Sequence, residues 1–325
     1  MIMKTPRLFA IIVTLLVQTI TTVEALQVAV IGTTGNIAQT AIRQLSKQNI
    51  TTRCLLRHDI SNIMPVDDPQ SSREVAASLA SLPNIEMIQG DVTDPASLLK
   101  LVQGCDAILA LQGAPKPNVI KSLIPFLSNP EASSHPYMIN YVGVQNIIDA
   151  AHGTPSVKRI IRITGKGEQP YSIVAILINM LGNLAKGWNY EGEVLLRKSG
   201  IDYTIIRPGL LKKDYTEPTK ARGLVDNGGD MKVSVVSYHQ IAQVCIESLQ
   251  YDNTKKSTLT VMNVDENEGE EDYGVLLGNV IEDQRVFPDS LIREHRMGAR
   301  FGFVGLCCFL VGVLNGLKGV VGLFL

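Results

Sequence analysis

Neither sign of charge is in excess in this chain. Its 325 residues carry 30 Lys and Arg against 31 Asp and Glu, a net charge of −1, and show no stripe of basic residues. That excludes the electrostatic footprint of a nucleic-acid binder. Cysteine is scarce. Cys54, Cys105, Cys245, Cys307 and Cys308 give no disulfide framework, and the first three sit in apolar strand or helix contexts where buried thiols are expected. No Cys or His spacing suggests a metal centre, and no segment repeats another. Apolar residues, by contrast, make up 45% of the chain. They suffice for a large core in one α/β domain with attachments, and their excess lies at the two ends.

At the N-terminus, Lys4 and Arg7 precede the apolar run Leu8–Val17, and Val23-Glu24-Ala25 resembles a small-residue cleavage site. Residues 1–25 therefore read as a targeting segment, a cleaved signal peptide in preference to an uncleaved anchor. At the C-terminus, 301–325 is apolar apart from Asn315 and Lys318, and Arg293, Arg296 and Arg300 stand before it. That length crosses a bilayer at ~1.5 Å per residue. The alternative is a buried or surface-lying hydrophobic helix. Arginines beside a span prefer the side where positive charge accumulates, whereas a cleaved signal sends the domain across a membrane. The two ends thus point to the secretory pathway or to a plastid reached through it. Asn49-Ile50-Thr51 is a glycosylation sequon, meaningful only for a luminal domain.

Between the ends, strand and helix patterns alternate. Strands are expected at Gln27–Ile31, Thr51–Arg57, Asn84–Gln89, Ala107–Leu111, Val157–Thr164 and Asp202–Arg207. Helices are expected at Asn36–Lys47, Ser72–Leu82, Pro95–Val102, Met138–His152 and, as one long element, through Ser172–Lys198. Alternation of this kind implies a parallel sheet covered by helices on both faces. Beyond Gly209 the pattern loosens to a strand at Lys232–Val236, a helix at Tyr238–Leu249 and a strand at Ser257–Val261. Six acids in Asp265–Asp272 mark a solvated loop, followed by a polar connector through Arg296. The domain reading is 26–264 for the α/β unit, 265–300 for acidic loop and connector, and 301–325 for the apolar helix.

The most informative stretch is Val28–Ala38. An apolar strand ends in Gly32 and Gly35, and a helix begins at once, with Ile37, Ala38, Ala41, Ile42 and Leu45 on one face. Strand, tight turn and helix in this order form the phosphate-binding opening of a Rossmann unit. The glycines admit a sharp turn and a close backbone approach, and the helix start presents N–H groups and a positive dipole end to a pyrophosphate. Dinucleotide type is set where the second strand ends. Here that end reads Arg53-Cys-Leu-Leu-Arg57-His58, with no carboxylate before Asp59. Arginine accommodates a 2′-phosphate, so Arg57 favours NADP over NAD. Asp91, after the third strand, is a candidate adenine contact, and Asp94 reads equally as a helix N-cap before Pro95.

Together these features resemble the short-chain dehydrogenase/reductase superfamily, in its atypical, NmrA-like branch. The resembling residues are Gly32-Thr-Thr-Gly35-Asn-Ile-Ala38, Arg57, Gly90-Asp91-Val92, Asn140 through Ala151, Val157 through Thr164, and Glu193 through Gly209, where Ser199-Gly200 precedes Arg207-Pro208-Gly209. The resemblance covers about Gln27–Val264. It implies a doubly wound parallel sheet with a small C-terminal substrate-side extension. It also implies that Gly32, Thr33, Thr34, Gly35, Asn36 and Ile37 line the diphosphate and that Arg57 meets the 2′-phosphate. Asp91 and Val92 would flank the adenine, Leu111, Gln112 and Gly113 would run under the ribose, and Thr164 and Pro208 would sit by the nicotinamide.

Catalysis is where the chain departs. The superfamily commonly uses a Tyr-x-x-x-Lys helix after the fifth strand, the lysine lowering the tyrosine pKa. Here Tyr171 is followed four residues later by Ala175, and Tyr190 by Val194. Thr164, Tyr190 and Tyr137 remain as candidates, with His135 as a candidate substrate contact. The apolar stretch Ser172–Lys186 reads as a substrate-side wall, a surface for lipid or a partner, or a packed helix. Two functions stay open: an NADP(H)-dependent oxidoreductase on a small or lipid-like substrate, and a non-catalytic NADP-binding redox sensor or membrane-associated assembly factor. An epimerase or dehydratase would need an acid/base pair that the sequence does not display.

Overall fold

The structure, a computed structural model, describes residues 25–66, 69–115, 130–212, 222–226, 234–264 and 269–324, with the side chains of 222–226 and 314–324 left aside. The expected targeting segment lies outside the described residues except for Ala25, as do the first part of the acidic loop and the first two residues of the strand expected at Lys232–Val236.

Among the described residues, ten strands form two sheets. The strands are β1 (Gln27–Ile31), β2 (Thr51–Leu56), β3 (Ile85–Gln89), β4 (Ala107–Ala110), β5 (Arg159–Ile163), β6 (Asp202–Pro208), β7 (Leu210–Lys212), β8 (Arg222–Asp226), β9 (Val235–Ser237) and β10 (Ser257–Val264). The main sheet runs β3-β2-β1-β4-β5-β6-β10-β8, and every pairing is parallel except β10 with β8. A separate parallel pair joins β7 to β9. The helices are α1 (Asn36–Lys47), α2 (Ser72–Ala80), α3 (Pro95–Val102), α4 (Gly143–His152), α5 (Ile173–Leu181), α6 (Ala185–Lys198), α7 (Tyr238–Glu247), α8 (Tyr273–Gly278) and α9 (Ile292–Phe324). This is the expected doubly wound α/β fold, with the apolar C-terminal helix present.

Alternating side chains on β1 show how the core is divided. Val28 and Val30 join Ala41, Ile42 and Leu45 of α1 and Ile241 and Cys245 of α7 in one apolar layer. Ala29 and Ile31 join Leu98 and Leu101 of α3 and Ile147 and Ile148 of α4 in the other. A strand clad on both faces must be apolar at every position, and Val28 through Ile31 are all buried. The sheet order reverses between β1 and β4, which opens a crevice at their carboxyl ends.

Several elements differ from the sequence expectation. The single helix expected over Ser172–Lys198 breaks into α5 and α6, because Asn183 and Leu184 adopt left-handed backbone (φ 51° and 62°). The helix expected at Met138–His152 opens with a π-helical turn, Tyr137–Val142. The connector expected through Arg296 is partly helical: α8 lies within it, and α9 begins at Ile292 rather than Phe301. Glu191 of α6 fixes that start by accepting bonds from the Leu291 and Ile292 amides (2.8 and 3.0 Å) and the Ser290 hydroxyl (2.9 Å).

A buried ionic cluster ties β5, β6 and α6 together. Fully buried Glu193 accepts from Arg207 Nε (3.0 Å) and Nη2, Arg197 Nη2 (2.8 Å) and Thr164 Oγ1 (2.5 Å). Glu168 bridges Arg207 Nη1 (2.7 Å) to Arg285 (2.6 Å), and the Phe287 ring lies 3.7 Å from the Arg197 guanidinium carbon and 4.2 Å from that of Arg285. Burial pushes the Glu193 carboxyl pKa up, but Arg207, Arg197 and the Thr164 hydroxyl outweigh it and hold it at about 2. The folded value lies below the ordinary one, so this stabilisation is complete above pH 4.5 and is lost as acidification passes through about 2. Glu193→Gln leaves buried guanidiniums without their counter-charge and is expected to cost about 3–5 kcal/mol in urea denaturation at neutral pH. The variant should also lack that acid-dependent component. A loss below about 1 kcal/mol would show the cluster to be dispensable.

Candidate dinucleotide site

The crevice between β1 and β4 deepens into a cavity of about 370 Å³. The turn after β1 supplies Gly32, Thr33, Thr34 and Gly35, and the segment after β4 supplies Leu111, Gln112, Gly113 and Pro115. The end of β2 brings Leu55, Leu56, Arg57 and His58, and the start of α2 brings Ser72 and Arg73. Val92 and Ile139 close the apolar side.

Backbone geometry accounts for the glycine turn. Gly32 has φ +91°, and a Cβ there would stand 2.7 Å from the Gln112 backbone, so only glycine lets the two loops approach this closely. Gly35 is the N-cap of α1, with no side chain capping the helix and no acidic residue in its first turn. The open N–H groups at that end leave an anion site in front of Asn36 and Ile37. Thr33 donates its hydroxyl to the Leu55 carbonyl (2.6 Å), bracing the turn against β2.

Two further features fit a dinucleotide. The Gln112 side chain is buried in the cavity wall with neither amide atom partnered among the described residues, a polar group that a ligand would satisfy. At the β2 rim, Arg57 and Arg73 are both exposed and both line the cavity. Asp59, the nearest following carboxylate, lies outside that lining and accepts from the Ser61 amide and hydroxyl (2.9 and 3.0 Å). Sequence reasoning missed Arg73 and His58. Arg73 follows a long polar loop, and only the capping box between Ser71 and Glu74 marks its helix start.

The structure thus brings together Gly32, Thr33, Thr34, Gly35, Arg57, Val92, Leu111, Gln112 and Gly113 around one cavity. Asp91 sits outside its lining, its carboxylate engaged by the Thr93 amide and hydroxyl (2.9 and 2.8 Å), while Asp94 caps α3. Pro208 ends β6, and Thr164 follows β5 with its hydroxyl held by Glu193. Tyr190 is fully buried and donates to the Pro288 carbonyl (2.8 Å), and burial raises its pKa. Tyr137 stacks on Tyr141 (5.7 Å) and meets the Trp188 edge (4.8 Å). His135 accepts from the Tyr137 amide (3.0 Å), and burial lowers its pKa. The chain does carry one Tyr-x-x-x-Lys spacing, Tyr251–Lys255. It lies at the opposite, amino-terminal edge of the sheet, where Lys255 pairs with Asp252 and with Asp202 at the start of β6.

Comparison with known proteins places this geometry. A family model described as NAD(P)H-binding matches residues 32–252. The chain belongs to that family, and its fold matches that of short-chain dehydrogenases/reductases. An uncharacterized chloroplastic protein of Arabidopsis thaliana is 29% identical over 57% of this chain and 57% of its own length. Protein TIC 62, chloroplastic, of Oryza sativa subsp. japonica is 26% identical over 68% of this chain and 43% of its own. The chain therefore spans only about half the length of these relatives. A short-chain dehydrogenase/reductase of Veillonella parvula, solved in complex with NADP, superposes with a TM-score of 0.52 at 15% identity, covering 81% of this chain and 99% of that one.

Gly32→Ala adds a methyl group against the Gln112 backbone in a left-handed conformation. It is expected to weaken NADP⁺ binding at least tenfold in calorimetry, whereas Gly278→Ala, whose methyl meets open space, should bind as the parent does. Equal affinities for the two variants would show that the close approach does not build the site.

Proposed function

We propose that the protein is an NADP(H)-dependent oxidoreductase acting on a small or lipid-like substrate, held to a plastid membrane by α9. The observation that carries the NADP reading is the pair Arg57 and Arg73 at the cavity rim, with no carboxylate among the described lining residues. A ribose 2′-phosphate there meets two guanidiniums, and charge-assisted hydrogen bonds contribute about 1.5–3 kcal/mol each. Gly32 through Gly35 and the α1 N-terminus would hold the diphosphate, Gln112 would bond the ribose side, and the bound nucleotide would supply or accept a hydride. The chloroplastic relatives support the plastid assignment, and the long apolar α9 supports the membrane one.

A second reading, an NADP(H)-binding redox sensor or assembly factor without turnover, is favoured by one observation. Thr164 and Tyr190, two of the candidate proton-handling hydroxyls, are both committed to internal hydrogen bonds.

Calorimetric titration with NADPH and NADH tests the binding claim. NADPH should bind at least tenfold more tightly, and Arg57→Gln and Arg73→Gln should each remove tenfold or more of that preference, since 1.4 kcal/mol is a factor of ten. Equal affinity for the two nucleotides would overturn the NADP assignment. Stopped-flow absorbance of NADPH against a carbonyl panel then separates the two readings. Single-turnover oxidation supports the oxidoreductase, and tight binding with no oxidation supports the sensor.

A further inference from the structure

Among its described side chains, helix α9 packs on the domain along its first turns. His295 is buried, taking a hydrogen bond on Nδ1 from Asn179 of α5 (2.8 Å) and donating from Nε2 to the Gly167 carbonyl (2.7 Å). Gly298 and Gly302 lie against α5: a Cβ on Gly298 would stand 2.8 Å from the Pro170 carbonyl, and one on Gly302 would stand 2.4 Å from the Ile176 side chain. Past that crossing the helix leaves the domain, and Val304, Phe309, Leu310 and Val311 are exposed. Gly302 to Phe324 at ~1.5 Å per residue is roughly 33 Å of helix, against a hydrocarbon core of ~30 Å.

The helix it crosses is itself amphipathic in an unusual sense. Ile176 and Met180 of α5 face Gly302, and Ala175 and Asn179 are buried. The opposite stripe, Ile173, Val174, Leu177, Ile178 and Leu181, is exposed, Ile173 by 77%. A soluble monomer rarely leaves so continuous an apolar stripe in water. Arg293, Arg296 and Arg300 are exposed on the turns of α9 just before the exit, and none is ion-paired with another described residue. An apolar helix face beside the root of a span, with exposed guanidiniums on the turns of that root, matches the acyl boundary and phosphate level of a bilayer.

We propose that α5 and the exit turn of α9 form one membrane-seating surface. α5 lies in the headgroup–acyl boundary of an acidic-lipid bilayer that α9 crosses, so the Rossmann domain is held in a fixed orientation instead of swinging on a tether. This inference rests on the reading of α9 as a span. The occupant is lipid: the stripe lies on a helix that packs directly against the first turns of α9, at the root of the span.

The full-length protein with Cys307→Ser and Cys308→Ser, reconstituted in phosphatidylcholine/phosphatidylglycerol vesicles, keeps only three cysteines, Cys54, Cys105 and Cys245, all buried. An environment-sensitive fluorophore is then placed singly by Leu177→Cys, Val174→Cys, Phe309→Cys or Val286→Cys, the last at a connector residue 95% exposed. With brominated acyl chains, the expected result is strong quenching at 309, clear quenching at 177 and 174, and none at 286. Quenching at 309 alone leaves the span standing and overturns the seating surface. Quenching at none of the four positions overturns both. Uniform quenching, 286 included, also contradicts a fixed seat.

Discussion

The approach of two backbones, Gly32 to Gln112, is the constraint on which the site depends. It joins the loops that leave β1 and β4 at the point where the sheet order reverses. At this distance no Cβ fits at residue 32, so the turn must be glycine and must adopt positive φ. The Gln112 amide is buried beside this turn, without a hydrogen-bond partner among the described residues. The start of α1, without a side-chain cap, then faces this cavity with its dipole field undiluted by an acidic residue in its first turn. Preorganisation of this kind lowers the ordering cost of binding.

The other end of the crevice is built on a different principle. There the carboxyl ends of β5 and β6 are fastened by charge: Glu193 lies between Arg207 and Arg197, and Glu168 and Arg285 extend the chain of ion pairs to the connector that leads into α9. Phe287 is stacked among the guanidiniums, and Tyr190 is bonded to Pro288, so the connector is latched over this region at several points. Thr164 is drawn into the same cluster. The segment that carries the domain toward α9 thus shares its anchoring residues with the strand ends expected to flank the nicotinamide. A substrate entering there would meet a polar, highly ordered wall formed partly by the C-terminal segment.

Much of this was legible before the structure, for a physical reason. Elements covered on both faces have little compositional freedom, so β1, α1 and α3 fall where their apolar periods and caps place them. The glycine turn likewise carries its own geometry. Legibility failed where long-range contacts decide. Gly182-Asn183-Leu184 breaks a continuous apolar pattern only because the backbone turns left-handed there. Arg293, Glu294 and Arg296 made the first turns of α9 look like connector, although Glu191 caps them from another helix. Arg73 reaches the cavity that Arg57 also lines only across a long loop, which hides their association in sequence, and Glu193, Arg207 and Glu168 are dispersed charges until β5, β6 and α6 assemble. Asp91, expected at its strand end as an adenine contact, also accepts from the Thr93 amide and hydroxyl on Oδ1, a local turn that the sequence reading did not include.

The central claim is that this crevice seats NADP(H) with its diphosphate over the Gly32–Gly35 turn. A crystal structure of the protein grown with NADP⁺ tests it most directly. The expected result is the diphosphate against the α1 N-terminus, the Gln112 amide bonded to the nucleotide, and the 2′-phosphate between Arg57 and Arg73. A nucleotide bound elsewhere, or bound here with its 2′-phosphate turned away from both arginines, would contradict it.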